Sequence, residues 1–139
     1  MRVVVPDASV LLKWVLPPAR EDSANQALMI RDAAIRGDIV LKVPTLWIYE
    51  IGNTLTRQFR RQAADLIQAI CQFGLAESAW TDSWLDRCIS LSCSYRVTFY
   101  DASYHSLAIE EQGVFVTADN QYVRRAAAAG SVISLKDWG

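Results

Sequence analysis

Short apolar runs alternate along this chain with longer segments in which apolar residues recur at helical spacing. The runs are bounded by turn residues and predict strands at 2–6, 38–44, 114–117 and 131–135. Helical periodicity predicts helices at 8–16, 22–36, 45–61, 62–74, 81–95, 101–113 and 119–130. This alternation favours an α/β fold of three layers, in which helices flank a central, mostly parallel sheet. Because no linker or repeat interrupts the pattern, we expect residues 1–139 to form a single domain.

Composition and charge narrow the functional classes. Lys and Arg number 14 and Asp and Glu 15, a formal net charge of −1 that does not favour a strongly basic nucleic-acid binder. The three cysteines show no C-x-x-C spacing, which favours free thiols in a reducing compartment over a zinc site. The first apolar run is interrupted by Asp7 and Lys13 and is too short to span a membrane. We therefore expect a soluble, cytoplasmic protein.

Three aspartates occupy equivalent positions in the predicted elements. Asp7, Asp101 and Asp119 each stand where an apolar stretch meets the start of a helix. In a parallel sheet such junctions lie at the carboxyl edge of the strands, where active sites are usually found. Any one of these aspartates is explained better by N-capping, because a carboxylate accepts hydrogen bonds from the amides of the first helical turn. Caps gain nothing from clustering, however, so three carboxylates at one edge favour a metal site.

The long helix predicted after the second strand adds a fourth acid, Glu50, outside its apolar face. Asn53 follows one turn later, and Arg57, Arg60 and Arg61 are predicted to continue the same face. One interpretation is a solvated charged face on which Glu50 and Arg57 are loosely paired. The other is a carboxylate at a metal, an amide that orients it, and arginines that follow a phosphate backbone.

The donor set of the four acids indicates which metal they would bind. Carboxylates without a His or Cys cluster favour Mg²⁺ or Mn²⁺, ions that activate water for attack on a phosphodiester. Neutralising four of the 15 acids leaves 11 against 14 basic side chains, a formal charge of +3 that suits a polyanionic substrate. A glycine-rich phosphate loop, a G-x-S-x-G elbow and a D-x-D motif are absent. His105 is expected to be half-exposed, on the helix face of Asp101.

Four motifs together resemble the PIN-domain family, and most closely its VapC toxins. They are "DASVLLKW", "LWIYEIGNTL", "YDASYHSLA" and "VTADNQYV", which occur in the family's order and approximate spacing. The resemblance implies a Mg²⁺- or Mn²⁺-dependent ribonuclease that cuts RNA, often tRNA or ribosomal RNA, and leaves a 5′-phosphate and a 3′-hydroxyl. It also implies inhibition by a cognate VapB-like antitoxin.

The resemblance also assigns roles to individual positions. Asp7, Glu50, Asp101 and Asp119 match the acidic quartet of the family, as catalytic residues and metal ligands. The polar positions that support the quartet are matched by Ser9, Asn53 and Thr117. Where some relatives carry a further acid after the last motif, this chain has Asn120 and Gln121, which leaves open whether one metal or two are bound.

Two other functional classes are compatible with these residues, and the composition also bears on the partners. A PIN-like fold with a weakened site could bind RNA or protein without cutting it, and another metal-dependent phosphoesterase, such as a phosphatase or DNA nuclease, would share the same acids. A hydrophobic fraction of 52% and five tryptophans predict a homodimer that binds the antitoxin over a hydrophobic groove. The alternative is that most of these rings, at 14, 47, 80, 84 and 138, fill the core.

Overall fold

A five-stranded parallel sheet forms the centre of the computed structural model, which describes residues 2–139 and all of their side chains except that of Arg20. The sheet order is β3-β2-β1-β4-β5, and every neighbouring pair is parallel. The strands are β1 (Arg2–Pro6), β2 (Ile39–Pro44), β3 (Ala76–Ser78), β4 (Val114–Thr117) and β5 (Val132–Ser134). Because all five strands run in one direction, their carboxyl ends lie at a single edge of the sheet.

In the described part of the chain, seven α-helices connect and cover these strands. They are α1 (Ala8–Leu12), α2 (Ala24–Arg36), α3 (Trp47–Gln58), α4 (Ala63–Cys71), α5 (Asp82–Tyr95), α6 (Phe99–Glu110) and α7 (Asn120–Ala126). Short 3-10 turns follow at 18–20, 127–129 and 135–137. The predicted α/β class, with helices flanking a parallel sheet, is confirmed. Within residues 2–139 no helix has both the length and the apolar character that a bilayer crossing requires.

The helix α6 is the most buried helix of the fold. Its residues from Ala102 to Ala108 are all buried, because the helix packs against α5 on one side and β1, β2 and β4 on the other. A helix enclosed in this way needs small or apolar residues all round rather than a single apolar stripe. Its position in the interior fixes where its first turn emerges, which is at the carboxyl edge of the sheet.

A close backbone approach brings β4 alongside β1. Gly113 immediately precedes β4, and a Cβ atom at this position would lie 2.3 Å from the carbonyl oxygen of Val3 in β1. Only glycine therefore permits the observed pairing of Val4 with Val114 and the register that follows from it. The register places the ends of the two strands side by side, and the backbone N–H of Asp7 donates to the carbonyl of Val116 at 3.3 Å.

Several predicted boundaries differ from the structure. The helix predicted at 8–16 ends at Leu12, and the one predicted at 45–61 ends at Gln58, where Phe59 leaves helical geometry with φ −134° and ψ 50°. Strand β3 was not predicted at all. Helix α6 begins at Phe99, two residues earlier than expected, because Thr98 caps it by accepting a hydrogen bond from the N–H of Asp101 at 3.1 Å.

Candidate active site

Asp7 is the most buried of the four acids. It follows β1 and caps α1, with Oδ1 accepting hydrogen bonds from the hydroxyl of Ser9 and from the N–H of Val10 at 3.3 Å. Its other oxygen, Oδ2, accepts from the hydroxyl of Thr117 at 2.6 Å. Only 7% of the residue is exposed. The carboxylate is therefore held in one orientation by donors from both β1–α1 and β4.

Asp119 lies beside Asp7 on the neighbouring loop, after β4. It caps α7, with Oδ1 accepting from the N–H groups of Gln121 and Tyr122 at 3.0 and 3.1 Å. Thr117 joins the two aspartates, because its hydroxyl oxygen also accepts from the N–H of Asp119 at 3.0 Å. The hydroxyl of Ser9 likewise accepts from the N–H of Ala118 at 3.0 Å. Asp7 and Asp119 thus each cap a helix and are also joined through Thr117.

Asp101 reaches the same edge by a different route from the one predicted. It was expected at the junction of an apolar stretch and a helix start, but no strand precedes it, and it lies inside the first turn of α6. The chain arrives from α5 through Thr98, so Asp101 is a first-turn acid rather than a cap. The charge of Asp101 contributes to the raised pKa of Asp7, and the charge of Asp119 contributes to the raised pKa of Asp101.

Glu50 lies in the first turn of α3 and is tied to α6. The phenol of Tyr104 donates a hydrogen bond to Oε1 of Glu50 at 2.5 Å. Tyr104 is fully buried and lies three residues after Asp101, so one turn of α6 both supplies an acid and positions another. Burial and the charge of Glu50 raise the pKa of the Tyr104 phenol, which keeps it protonated as a donor. Sequence reasoning missed Tyr104, although its spacing from Asp101 was a usable signal.

The carboxyl groups titrate as mutually repelling neighbours. Burial is the main cause that raises the pKa of Asp7 to about 6, and the charge of Asp101 adds to it against the hydrogen bonds of Ser9 and Thr117. Burial and the charge of Asp101 raise the pKa of Glu50, and burial and the charge of Asp119 raise that of Asp101. Burial and repulsion therefore disfavour the ionised forms of Asp7, Glu50 and Asp101.

No described cationic side chain forms an ion pair with these acids. The five ion pairs found among the described side chains involve other carboxylates, so Glu50 is not paired with Arg57. Nor do any three His, Cys, Asp or Glu side chains of the described part already converge closely enough to ligate one ion. The donor chemistry fits a hard divalent cation, which would offset the repulsion.

The remaining predicted residues lie outside the hydrogen-bonded cluster. Asn53 is exposed in α3, and its side chain makes no hydrogen bond to a described residue. Arg57 lies in the last turn of α3, but Arg60 and Arg61 follow the end of the helix in the turn before α4. The prediction that the three arginines continue one helix face is therefore wrong. All three are exposed.

The expectation of a half-exposed His105 is also wrong. Its ring is fully buried, with Nδ1 2.7 Å from the hydroxyl of Tyr122 and Nε2 2.7 Å from the carbonyl oxygen of Gly130. Burial lowers the pKa of the imidazole, which favours the neutral form. Because α6 is enclosed on all sides, this face of the helix packs inward and joins α6 to α7 and to the turn before β5.

Two of the five tryptophans are buried in the core, fewer than the alternative interpretation held. Trp14 donates from Nε1 to the carbonyl of Ala27 at 2.9 Å, and Trp47 donates to Oε1 of Glu77 at 2.6 Å. Both are buried. Trp80 is instead exposed on the surface. The tryptophan count therefore overstated the aromatic surface available to partners.

Solved structures of similar shape confirm the fold. PAE2754 from Pyrobaculum aerophilum matches with a TM-score of 0.69 and 21% identity, over 97% of this chain and 85% of that one. VapBC2 from Rickettsia felis, bound to a promoter DNA fragment, matches with a TM-score of 0.68 and 12% identity, over 95% of this chain and 96% of that one. VapC20 from Mycobacterium tuberculosis, a toxin that cleaves the sarcin–ricin loop, matches with a TM-score of 0.67 and 14% identity, over 93% of this chain and 96% of that one. At these identities the likeness is one of fold.

Sequence comparison identifies the family directly. Among curated proteins no sequence matches this chain significantly. The family model of the PIN domain matches residues 4–128, a span that begins in β1, ends in the turn after α7 and includes all four acids. That span is most of the chain, and the fold is similar to that of the solved structures. The chain belongs to the PIN-domain family.

Proposed function

We propose that this protein is a Mg²⁺- or Mn²⁺-dependent endoribonuclease, the toxin of a type II toxin–antitoxin pair. The observation that carries the proposal is the acidic edge, by which we mean Asp7, Glu50, Asp101 and Asp119 at the carboxyl edge of the sheet. No described cationic side chain pairs with these carboxylates, and burial and mutual repulsion raise the pKa of three of them. Such an arrangement costs stability unless a bound cation offsets it.

The proposed chemistry divides between the metal and the chain. Mg²⁺ or Mn²⁺ supplies an activated water and stabilises the leaving oxygen of a phosphodiester. The acidic edge would hold the ion, Ser9 and Thr117 would fix the orientation of Asp7, and Tyr104 would fix that of Glu50. VapC members of the PIN family are nucleases, and nucleases of this family generally use a divalent metal.

RNA is the proposed substrate and a VapB-like antitoxin the proposed partner. VapC20 of M. tuberculosis cleaves the sarcin–ricin loop, and toxin–antitoxin complexes from R. felis and Klebsiella pneumoniae share the fold. We further propose a cytoplasmic homodimer. Light scattering of the purified chain tests the dimer, since a monomer across micromolar concentrations would refute it. A gene without a short neighbouring reading frame would count against the antitoxin.

A cleavage assay with three substrates tests the proposed activity. The purified protein is incubated with structured RNA, single-stranded DNA and a small phosphoester, each with Mn²⁺ or with EDTA. We expect endonucleolytic cleavage of RNA only, with Mn²⁺ only, and its loss in Asp101→Asn, because an amide is a poor ligand for a hard cation. Cleavage of DNA or of the phosphoester would favour another metal-dependent phosphoesterase. Binding of RNA without cleavage would favour a non-catalytic module.

A further inference from the structure

A small aromatic pocket lies at the same edge of the sheet as the acids. Its volume is about 150 Å³, and it opens where β2 and β3 end, between Pro44 and Ser78 on one side and the first turn of α6 on the other. The aromatic walls are Trp80, Trp84 and the adjacent residues Phe99 and Tyr100. We name these four rings and the space between them the aromatic pocket. Tyr100 immediately precedes Asp101, so the pocket borders the acidic edge.

The rings of the pocket are unusually exposed for side chains of their size. Trp80 is 63% exposed, Tyr100 61% and Phe99 42%. Exposed apolar surface gathered at one place marks a binding site more often than isolated exposed residues do. Strand β3 and the start of α5, which flank Trp80, are mostly exposed. The aromatic surface is therefore not explained by packing within the chain.

Two of the four aromatic walls, Trp84 and Phe99, are held in place by contacts within the chain. Trp84 donates from Nε1 to the carbonyl of Ser103 at 3.0 Å, and its ring meets that of Phe99 edge-on at 6.3 Å and 88°. Thr98 caps the turn that carries Phe99 and Tyr100. A preformed site with fixed aromatic rings loses little conformational entropy when a flat group inserts. The same turn carries Asp101, so the pocket and the acid keep a fixed relation to one another.

The size and chemistry of the aromatic pocket select its occupant. A cavity of about 150 Å³ accommodates one planar ring system, whereas an antitoxin helix needs a groove with successive anchors about a turn apart. Proteins that read unpaired RNA stack single bases on aromatic side chains and hydrogen-bond their edges. Thr45 and Ser78 also line the pocket, and their hydroxyls would supply such edge contacts.

We propose that the aromatic pocket binds one unpaired base of the RNA substrate, next to the phosphodiester that the acidic edge receives. The inference rests on the proposed ribonuclease function and deepens it. It assigns the substrate as RNA whose cleavage point lies in a loop or single strand, because a paired base cannot enter the pocket. Trp80 and Tyr100 are then substrate-binding residues that select for an unpaired base and take no part in bond cleavage.

A double-mutant cycle, in which a residue of the protein and a base of the RNA are changed singly and together, tests the proposal. An oligoribonucleotide that the wild-type protein cleaves with Mn²⁺ is made with one abasic residue at each position around the cut, and binding is measured by fluorescence anisotropy with Ca²⁺ instead. We expect one position where the abasic change weakens binding on the order of 10-fold to 100-fold, the range for one base–aromatic stack. Trp80→Ala and Tyr100→Ala should each weaken RNA binding to a similar degree. In these variants the abasic change at that position should cause no further loss of affinity. Trp80→Phe should restore the stack.

Matched controls separate this proposal from the proposed function. Ile35→Ala, at a 68% exposed position on α2, should leave binding and every abasic effect unchanged. The abasic change could weaken RNA binding equally in wild type and in Trp80→Ala while the wild type still cleaves RNA. That result would overturn the base pocket alone. A wild type that cleaves no RNA would overturn the proposed function and the base pocket with it. Conversion of a dimer to a monomer by Trp80→Ala, with RNA affinity retained, would show that a second copy of the chain fills the pocket.

Discussion

Asp7 combines three conditions that rarely occur together at one side chain. It is buried, it caps a helix, and it stands close enough to Asp101 to be repelled by it. Ser9 and Thr117 favour its ionised form through hydrogen bonds, but burial outweighs them and raises its pKa to about 6. The capping and metal-site interpretations of the sequence were therefore not exclusive, because the donors that cap Asp7 also hold its carboxylate ready for a ligand.

The raised pKa predicts how stability depends on pH in the metal-free protein. A carboxyl whose pKa rises from 3.8 to about 6 on folding takes up protons as the chain folds, so stability falls as pH increases across that interval. Asp7→Asn removes the ionisation. In EDTA above pH 6 we expect this variant to be more stable than wild type by about 2 to 3 kcal/mol, since one unit of pKa is worth about 1.4 kcal/mol.

Denaturant unfolding at pH 3.5, 5, 6 and 7.5 measures this difference. The advantage of Asp7→Asn should vanish near pH 3.5, where both side chains are neutral. Asp86→Asn, at an exposed position of α5, should track wild type within about 0.5 kcal/mol at every pH. A variant Asp7→Asn that is less stable than wild type at pH 7.5 would show that the ionised carboxylate stabilises the fold.

At the scale of elements, α6 organises the site. Its first turn carries Asp101, its second presents Tyr104 to Glu50 of α3, and its far end leads through Gly113 into β4, the strand that positions Thr117. One buried helix thereby relates three of the acids to the sheet. A displacement of β4 from β1 would disturb the bond between Thr117 and Asp7.

The close approach at Gly113 gives a stability prediction. Gly113→Ala places a Cβ atom 2.3 Å from the backbone oxygen of Val3, so β4 must shift, at a cost of about 1 to 3 kcal/mol. Gly52→Ala is the matched control, because a Cβ there has no neighbour within 4 Å and alanine is the better helix former, by up to about 1 kcal/mol. Thermal unfolding should lower Tm for the first variant and raise it slightly for the second. An unchanged Tm for Gly113→Ala would show that the strands can separate freely.

The sequence was informative where its pattern was strong and local. The strands β1, β2 and β4 are predominantly apolar runs, and each was predicted to within a residue or two. Strand β3, Ala76–Ser78, is short and mostly exposed, so it carries no apolar alternation and depends on pairing with β2. The start of α6 could have been found, because Thr98 followed three residues later by Asp101 is a typical N-terminal capping pattern. The burial of His105 could not, since it depends on α5 and the sheet enclosing α6.

At the scale of the whole molecule, the acidic edge is negative and RNA needs positive surface elsewhere. Arg57, Arg60 and Arg61 gather at the end of α3 and the following turn, exposed and without an ion pair among the described residues. Replacing all three with Ala should weaken RNA binding and flatten its salt dependence by about 2 in the log–log slope, since each single-strand phosphate contact contributes about 0.7. Arg36→Ala, at a residue paired with Asp38 on α2, should have little effect. Salt titrations of RNA affinity give the slopes, and an unchanged slope would place the RNA on another surface.

A manganese titration tests the central claim most directly, namely that the acidic edge binds a divalent cation. Free Mn²⁺ is followed by electron paramagnetic resonance as wild type or Asp101→Asn is added at pH 7.5. We predict saturable binding by wild type and affinity weakened at least about 10-fold in Asp101→Asn, because the cluster loses a charged oxygen ligand while Thr98 still caps α6. Equal affinity in the two proteins, or no binding by wild type, would contradict the metal site and the mechanism built on it.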